Sequence, residues 1–238
     1  MNTKLDSPRD AVLRGMRDTL PMIVGAVPFG LIYGTLVAQS PLAFWQGQAM
    51  SASVFAGSAQ FIALGLVASH TGLLVIWLTT FVVNLRHMLY AATLLPVVAA
   101  LPWRWRLALG FLLTDETFAV VAERRRLAPD DRELPWYFLG SGVAMYVSWN
   151  SVTLLGLLFG SAFPQLQSLG LEYAIVVTFV AIVVPQLNRV PHLAAALAAG
   201  ALAWLWQDMP YKLGLLASVI VGVGVGLALT RLRKRGVA

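Results

Sequence analysis

The chain has 238 residues, of which 58% are apolar and 12% charged, whereas ordinary soluble domains carry roughly 25% charged residues. Seventeen Lys and Arg with 11 Asp and Glu cannot cover the surface of a soluble domain of this length, so the composition describes an integral membrane protein. The net charge of +6 is accounted for by membrane topology and argues against a nucleic-acid partner, and the absence of cysteine excludes disulfides, iron–sulfur ligation and thiol chemistry.

Residues 1–19 read as a cytoplasmic amphipathic segment. Ser7 is placed to cap a helix that opens on Pro8, and Val12, Met16 and Leu20 recur at helical spacing opposite Arg9, Asp10, Arg14, Arg17 and Asp18. The segment is too polar for a secretory leader; it reads either as an interfacial helix resting on membrane lipids or as a solvated leader.

Residues 20–230 form the transmembrane domain. Its apolar stretches have helical length and do not alternate, so the fold class is all-α, a polytopic membrane helix bundle, not a barrel. About eight spans are expected: Leu20–Ala38, Met50–Ser69, Gly72–Leu101, Leu107–Ala122, Pro135–Phe159, Leu171–Leu187, Pro191–Trp206 and Leu213–Thr230. The third is long enough to tilt or break. The fourth and seventh are short enough to be partial spans or halves of a discontinuous element. A basic tail, 231–238, closes the chain. With both termini inside, thirteen Lys and Arg fall on the cytoplasmic side, against Arg104, Arg106 and Lys212 on the other; Arg104 and Arg106 fit this arrangement poorly. No internal repeat is evident.

Polar groups at membrane depth carry the functional signal, since a charged residue at a helix centre costs about 2.5–3.5 kcal/mol on insertion scales. In the third span Asn84, Arg86 and His87 interrupt a long apolar run, with Arg86 too deep to reach either surface. Asp115 and Glu116 lie near the middle of the fourth span. Consecutive helical residues point about 100° apart, so one carboxyl can meet Arg86 while the other faces a cavity or a neighbouring helix. A neutralising ion pair and a solute or proton path are both compatible with this set. His87 reads either as a packed hydrogen-bonding partner or as a proton carrier.

Ser51, Ser58 and Gln60 in the second span suit either close helix packing or a solute site. Pro21, Pro28, Gly30 and Gly57 are the expected hinges or helix breaks, where unwinding would present backbone groups to a solute. Trp149, Asn150 and Ser151, and Pro185 with Gln186, are weaker signals of the same kind. Gly222, Gly224 and Gly226 form a small-residue face that suits a partner helix or the chain's own bundle.

An enzyme is not indicated. His70, His87 and His192 are scattered, no HExxH occurs, and no phosphate-binding GxxxxGK[ST] loop or cofactor motif is present. A zwitterionic amino acid needs a cation or helix N-terminus for its carboxylate, an acceptor for its ammonium and an apolar pocket. Arg86, then Asp115 or Glu116 with Gln60, and abundant Leu, Val and Phe supply these. Without a nucleotide site, protons are the economical energy source, and a midplane carboxyl is the natural carrier. The rival reading is a scaffold or accessory subunit that transports nothing.

Four segments resemble a known family: Pro-Met-Ile-Val-Gly-Ala-Val-Pro-Phe-Gly at 21–30, Met-Ser-Ala-Ser-Val-Phe-Ala-Gly-Ser-Ala-Gln-Phe at 50–61, Asn-Leu-Arg-His-Met-Leu-Tyr at 84–90 and Leu-Thr-Asp-Glu-Thr-Phe at 113–118. In order and spacing they are similar to the AzlC/YgaZ family of branched-chain amino-acid permeases over roughly residues 20–120. The resemblance implies a multi-pass protein of the bacterial inner membrane. It further implies export of valine, leucine and isoleucine together with a small AzlD/YgaH-type membrane subunit. No motif separates such an exporter from a relative handling another small zwitterion.

Overall fold

The structure, a computed structural model, describes residues 7–129, 131–162, 184, 187–209 and 213–235. Among these residues no strand occurs, and the chain is the helix bundle its composition requires. The sixth expected span, 171–187, lies almost wholly outside the described residues, as do Lys4, Pro185, Gln186 and Lys212.

The first helix, α1 (Pro8–Ala38), begins at the expected cap. Ser7 Oγ accepts the Asp10 N–H at 3.2 Å and Asp10 Oδ2 accepts the Ser7 N–H at 3.3 Å, a reciprocal capping box ahead of a proline that needs no donor. The helix then runs unbroken through residues 19 and 20, so the N-terminal segment and the first span are one rod. It also passes through Pro21 and Pro28. The breaks expected at Pro21, Pro28 and Gly30 do not form.

Helix α1 packs along most of its length on α8 (Leu134–Ala162), which lies alongside it in parallel. Gly15 sits against the backbone of Tyr137 and Ser141, Gly34 against Thr153 and Leu157, and Gly156 against Leu31. At Gly30 any side chain would strike Val152, so this glycine serves packing. Thr19 Oγ1 donates to Ser141 Oγ at 2.7 Å and Thr35 Oγ1 to the Gly156 carbonyl at 3.2 Å. In lipid, with no hydrophobic drive between helices, such close backbone approach and cross-helix bonding supply the association. The face that α1 buries at its start is therefore Ala11, Gly15 and Thr19, while Val12, Met16 and Leu20 stay partly or fully exposed.

Between these parallel helices the chain must cross an odd number of times. Helices α4 (Leu73–Asn84) and α5 (Arg86–Val98), jointed at Leu85, make one 26-residue crossing rod. The segments on either side of that rod do not cross. Helices α2 (Phe44–Val54) and α3 (Gly57–Ala68) form a hairpin: Met50 packs on Ala63 and Leu66, and Leu42 and Gln46 share a groove with Val67 and Leu73. The chain thus returns to the end of the bundle where α1 finishes. Helices α6 (Trp103–Phe111) and α7 (Asp115–Leu127) form a second hairpin from the opposite end. The Trp105 ring lies 4.5 Å from Trp136 at the start of α8, Phe111 reaches Tyr146 at 5.6 Å, and Val121 clusters with Ala11 and Leu134.

The second and fourth expected spans are thus re-entrant hairpins. At 1.5 Å per residue, helices of 9–13 residues cannot cross about 30 Å of hydrocarbon. Among the described residues three helices are long and apolar enough to cross: Pro8–Ala38, Leu73–Val98 and Leu134–Gly160. This topology also accounts for Arg104 and Arg106. They stand at the start of α6, on the same end as Arg9, Arg14, Arg17, Arg124, Arg125, Arg126 and Arg132, and so obey the positive-inside tendency. At that end Arg126 forks onto Glu123 at 2.6 Å, and this hydrogen-bonded pairing holds the Glu123 carboxyl below its ordinary range. A hairpin followed by a crossing helix occurs twice, as α2–α5 and as α6–α8, in opposite senses. It is an inverted repeat of the kind built into many transporters.

Helices α9 (Val190–Leu205) and α10 (Leu213–Arg235) pair antiparallel. Gly222 faces Ala195 and Ala199, and Gly226 faces Ala195 and Pro191, so these two glycines are occupied within the chain and do not form a free partner surface. A Cβ at Gly224 would meet nothing within 4 Å among the described residues.

Candidate functional site

The two hairpin tips meet halfway through the bundle. Helix α2 ends on Phe55 with φ 43° and ψ 44°, a left-handed conformation that costs a bulky residue about 1–3 kcal/mol and tends to mark functional sites. The Phe55 ring lies 6.1 Å from Phe111 of the opposing hairpin and 4.9 Å from Tyr146 of α8. Beside this contact a cavity of about 390 Å³ opens.

One part of its lining is polar. Arg86, at the joint of the crossing rod, places Nη1 3.1 Å from Asp115 Oδ2 and donates through Nη2 to Ser58 Oγ. Tyr90 donates its hydroxyl to Asp115 Oδ1 at 2.8 Å and stacks on Phe118. Asp115 is thus held from two sides. Glu116 also lines the cavity; its carboxyl turns toward its own backbone N–H and Thr114, and among the described residues no cation pairs with it. His87 lines the cavity too, with Nδ1 3.1 Å from the Asn84 carbonyl and its ring edge-on to Tyr90.

Backbone charge adds to this. Helices α3 and α7 both begin at the cavity, so two positive helix ends face it from opposite sides. At α7 the end is satisfied from within: Thr114 Oγ1 accepts the Thr117 N–H at 3.3 Å, and Asp115 and Glu116 fill the first turn. The α3 end starts after Ala56, which has no polar side chain to offer, so its first N–H groups have no side-chain cap. The apolar wall is Met22, Phe29, Phe55, Phe61, Met145 and Trp149. A cation, an uncapped helix start, an unpaired carboxyl and an apolar wall in one space are the complement of a small zwitterion.

The structure brings Ser58, Gly57, Arg86, His87, Asp115 and Glu116 of the sequence-derived set into this cavity, along with Pro21. Gly57 does follow a helix break, and a side chain there would press on Trp149. Three of the expected binding or coupling residues lie elsewhere, as do the expected hinges Pro28 and Gly30. Asn84 faces a separate apolar groove between α2, α3 and α4. Ser51 is buried in the seam with α8, where it donates to Thr153 Oγ1 at 3.1 Å. Gln60 is buried behind the wall, its Oε1 accepting the Trp149 indole N–H at 3.0 Å. Tyr90 was not anticipated, although it stands four residues after Arg86 and so on the same helix face.

A family model described as AzlC protein matches residues 21–163, from within α1 to the end of α8. An uncharacterized membrane protein of Helicobacter pylori (strain ATCC 700392 / 26695) is 26% identical over 184 residues, covering 74% of this chain and 78% of its own. The inner membrane protein YgaZ of Escherichia coli (strain K12) is 28% identical over 160 residues, 64% of this chain and 62% of its own. The branched-chain amino acid transport protein AzlC of Bacillus subtilis (strain 168) is 23% identical over 168 residues, 71% and 65% respectively. No solved structure matches the chain. The matched stretch contains both re-entrant hairpins and every described residue that lines the cavity, and the chain belongs to the AzlC protein family.

Proposed function

We propose that this chain transports branched-chain amino acids across the bacterial inner membrane, outward from the cell, and that the midplane cavity is the binding site. The observation that carries the reading is the Arg86–Asp115 pair at the meeting point of two half-helix hairpins, beside an uncapped helix start and an apolar wall. The substrate carboxylate binds at Arg86, Ser58 and the first N–H groups of α3. The ammonium binds Glu116, since Asp115 is already engaged by Arg86 and Tyr90. The aliphatic side chain lies against Met22, Phe29, Phe55 and Met145.

Export against a gradient needs coupling, and Glu116 carries the proton: it binds a proton when the ammonium leaves and releases it when the next substrate arrives. The inverted hairpins supply the two gates, one tip withdrawing toward each side. A small hydrophobic subunit of the AzlD/YgaH type completes the working complex. The relative named as a branched-chain amino acid transport protein supports the substrate class. The test is uptake of labelled valine, leucine and isoleucine into proteoliposomes, with and without the small subunit and under imposed pH gradients. Saturable, gradient-sensitive movement is expected; no movement in any arrangement, with the protein folded, favours an accessory role.

A further inference from the structure

The cavity wall contributed by α1 has one gap, at Gly25. The α1 residues that line the cavity are Pro21, Met22, Gly25, Ala26 and Phe29, none with a polar side chain; the charged groups come from α5 and α7. Pro21, Met22 and Phe29 stand four and three residues before Gly25 and four after, so all share its helix face. Three other glycines of α1 have a packing reason: at Gly15, Gly30 and Gly34 an added Cβ would collide with α8. At Gly25 it would meet nothing within 4 Å among the described residues. A glycine in a helix interior costs stability relative to alanine, so one that makes no close contact calls for another explanation.

Resting on the functional reading above, we propose that Gly25 sets the upper size limit of the transported side chain. With the zwitterion head held at Arg86 and Glu116, the aliphatic part points to the α1 wall. The absence of a side chain at position 25 leaves room there for a branched chain between Met22 and Phe29. Each methylene added at position 25 then removes space that the larger substrates need, whereas small ones still fit. Discrimination by one methylene in an apolar pocket is roughly 10- to 200-fold, which is the scale to look for.

The experiment measures binding of alanine, valine, leucine and isoleucine to purified, detergent-extracted parent, Gly25→Ala, Gly25→Val and Gly25→Leu, with gel filtration and thermal unfolding as folding controls. The expected result is a graded loss: leucine and isoleucine weaken by roughly 10-fold or more in Gly25→Val and further in Gly25→Leu, while alanine binding changes little. If the folded Gly25→Leu protein keeps the parental leucine-to-alanine ratio, or loses all four equally, the size limit does not lie at Gly25, although the functional reading survives. A Gly25→Leu protein that does not fold hands the decision to Gly25→Ala and Gly25→Val, whose ratios are read in the same way. A folded parent that binds none of the four, either alone or with the small subunit, overturns the functional reading and the size limit with it.

Discussion

Arg86 and Asp115 meet at 3.1 Å although 28 residues and a change of direction separate them, because each stands at an interruption: Arg86 just after the joint at Leu85, Asp115 as the first residue of α7. The pair ties the crossing rod to a hairpin tip at the middle of the bundle. Arg86→Ala is expected to reduce transport in proteoliposomes by roughly 30-fold or more, because the substrate carboxylate loses its cation and Asp115 its partner. Asp115 keeps the Tyr90 hydroxyl as a hydrogen-bond donor, so the protein is expected still to insert. Parental rates in Arg86→Ala would remove this pair from the transport centre.

The same pair makes a stability prediction. Breaking a fully buried pair costs about 3–5 kcal/mol, but these side chains keep 24% and 41% of their exposure, so a loss on the order of 1–2 kcal/mol is expected for Asp115→Asn or Arg86→Leu. The double substitution should unfold at a higher temperature than either single one, because no unpaired charge remains. Simple addition of the two losses would argue against coupling.

Glu116 and Asp115 are neighbours with different company, and their substitutions should differ accordingly. Glu116→Gln keeps an oxygen that accepts from the ammonium but holds no proton, so it is expected to abolish the response to an imposed pH gradient while amino-acid exchange between loaded vesicles continues at weakened substrate affinity. Asp115→Asn should lower both together, because it disturbs Arg86. If pH-driven movement persists in Glu116→Gln, the proton is carried by another group, and His87 on the same cavity is the next to test.

Trp149 and Gln60 form the buried bond behind the cavity wall, and among the described residues Gln60 Nε2 makes no hydrogen bond. Trp149→Phe leaves the Gln60 carbonyl unpaired as well, which should cost about 1–3 kcal/mol in thermal or denaturant unfolding. Gln60→Leu combined with Trp149→Phe should recover part of that loss, since neither polar partner remains. No recovery would mean that the ring's packing against Tyr33 and Gly57, not the hydrogen bond, sets the cost.

The charged part of the site was legible because Arg86, Asp115 and Glu116 stand out in apolar surroundings, and elementary helix geometry anticipated that two adjacent carboxyls would part company. The first hairpin was not legible: hydropathy measures apolar length, 50–69 is long enough to pass for a span, and its turn at Phe55–Ala56 lacks glycine and proline. The second was legible in part, since 107–122 is short enough to read as a partial span, although its turn at Leu112–Leu113 also lacks glycine and proline. The prolines that do punctuate the sequence, Pro21 and Pro28, sit inside a continuous helix packed along α8. One signal was present in the misplaced charges: Arg104 and Arg106 offended the topology because the segment after them does not cross.

The glycines of α10 separate internal packing from docking of a small subunit. Gly222 and Gly226 touch α9, so Gly222→Leu must push Ala199 and Ala195 apart and should lower the unfolding temperature of the isolated chain. Gly224 lies between them on another face of the helix, where an added Cβ would meet nothing within 4 Å among the described residues. Gly224→Leu is therefore expected to leave the isolated chain as stable as the parent. If the small subunit packs on α10, the same substitution will reduce its co-purification, because close backbone approach in lipid depends on small residues. Co-purification equal to the parent in Gly224→Leu, with the chain folded, would move the subunit contact off this helix, and the exposed apolar face of α4 at Leu74, Trp77 and Phe81 would be the surface to probe next.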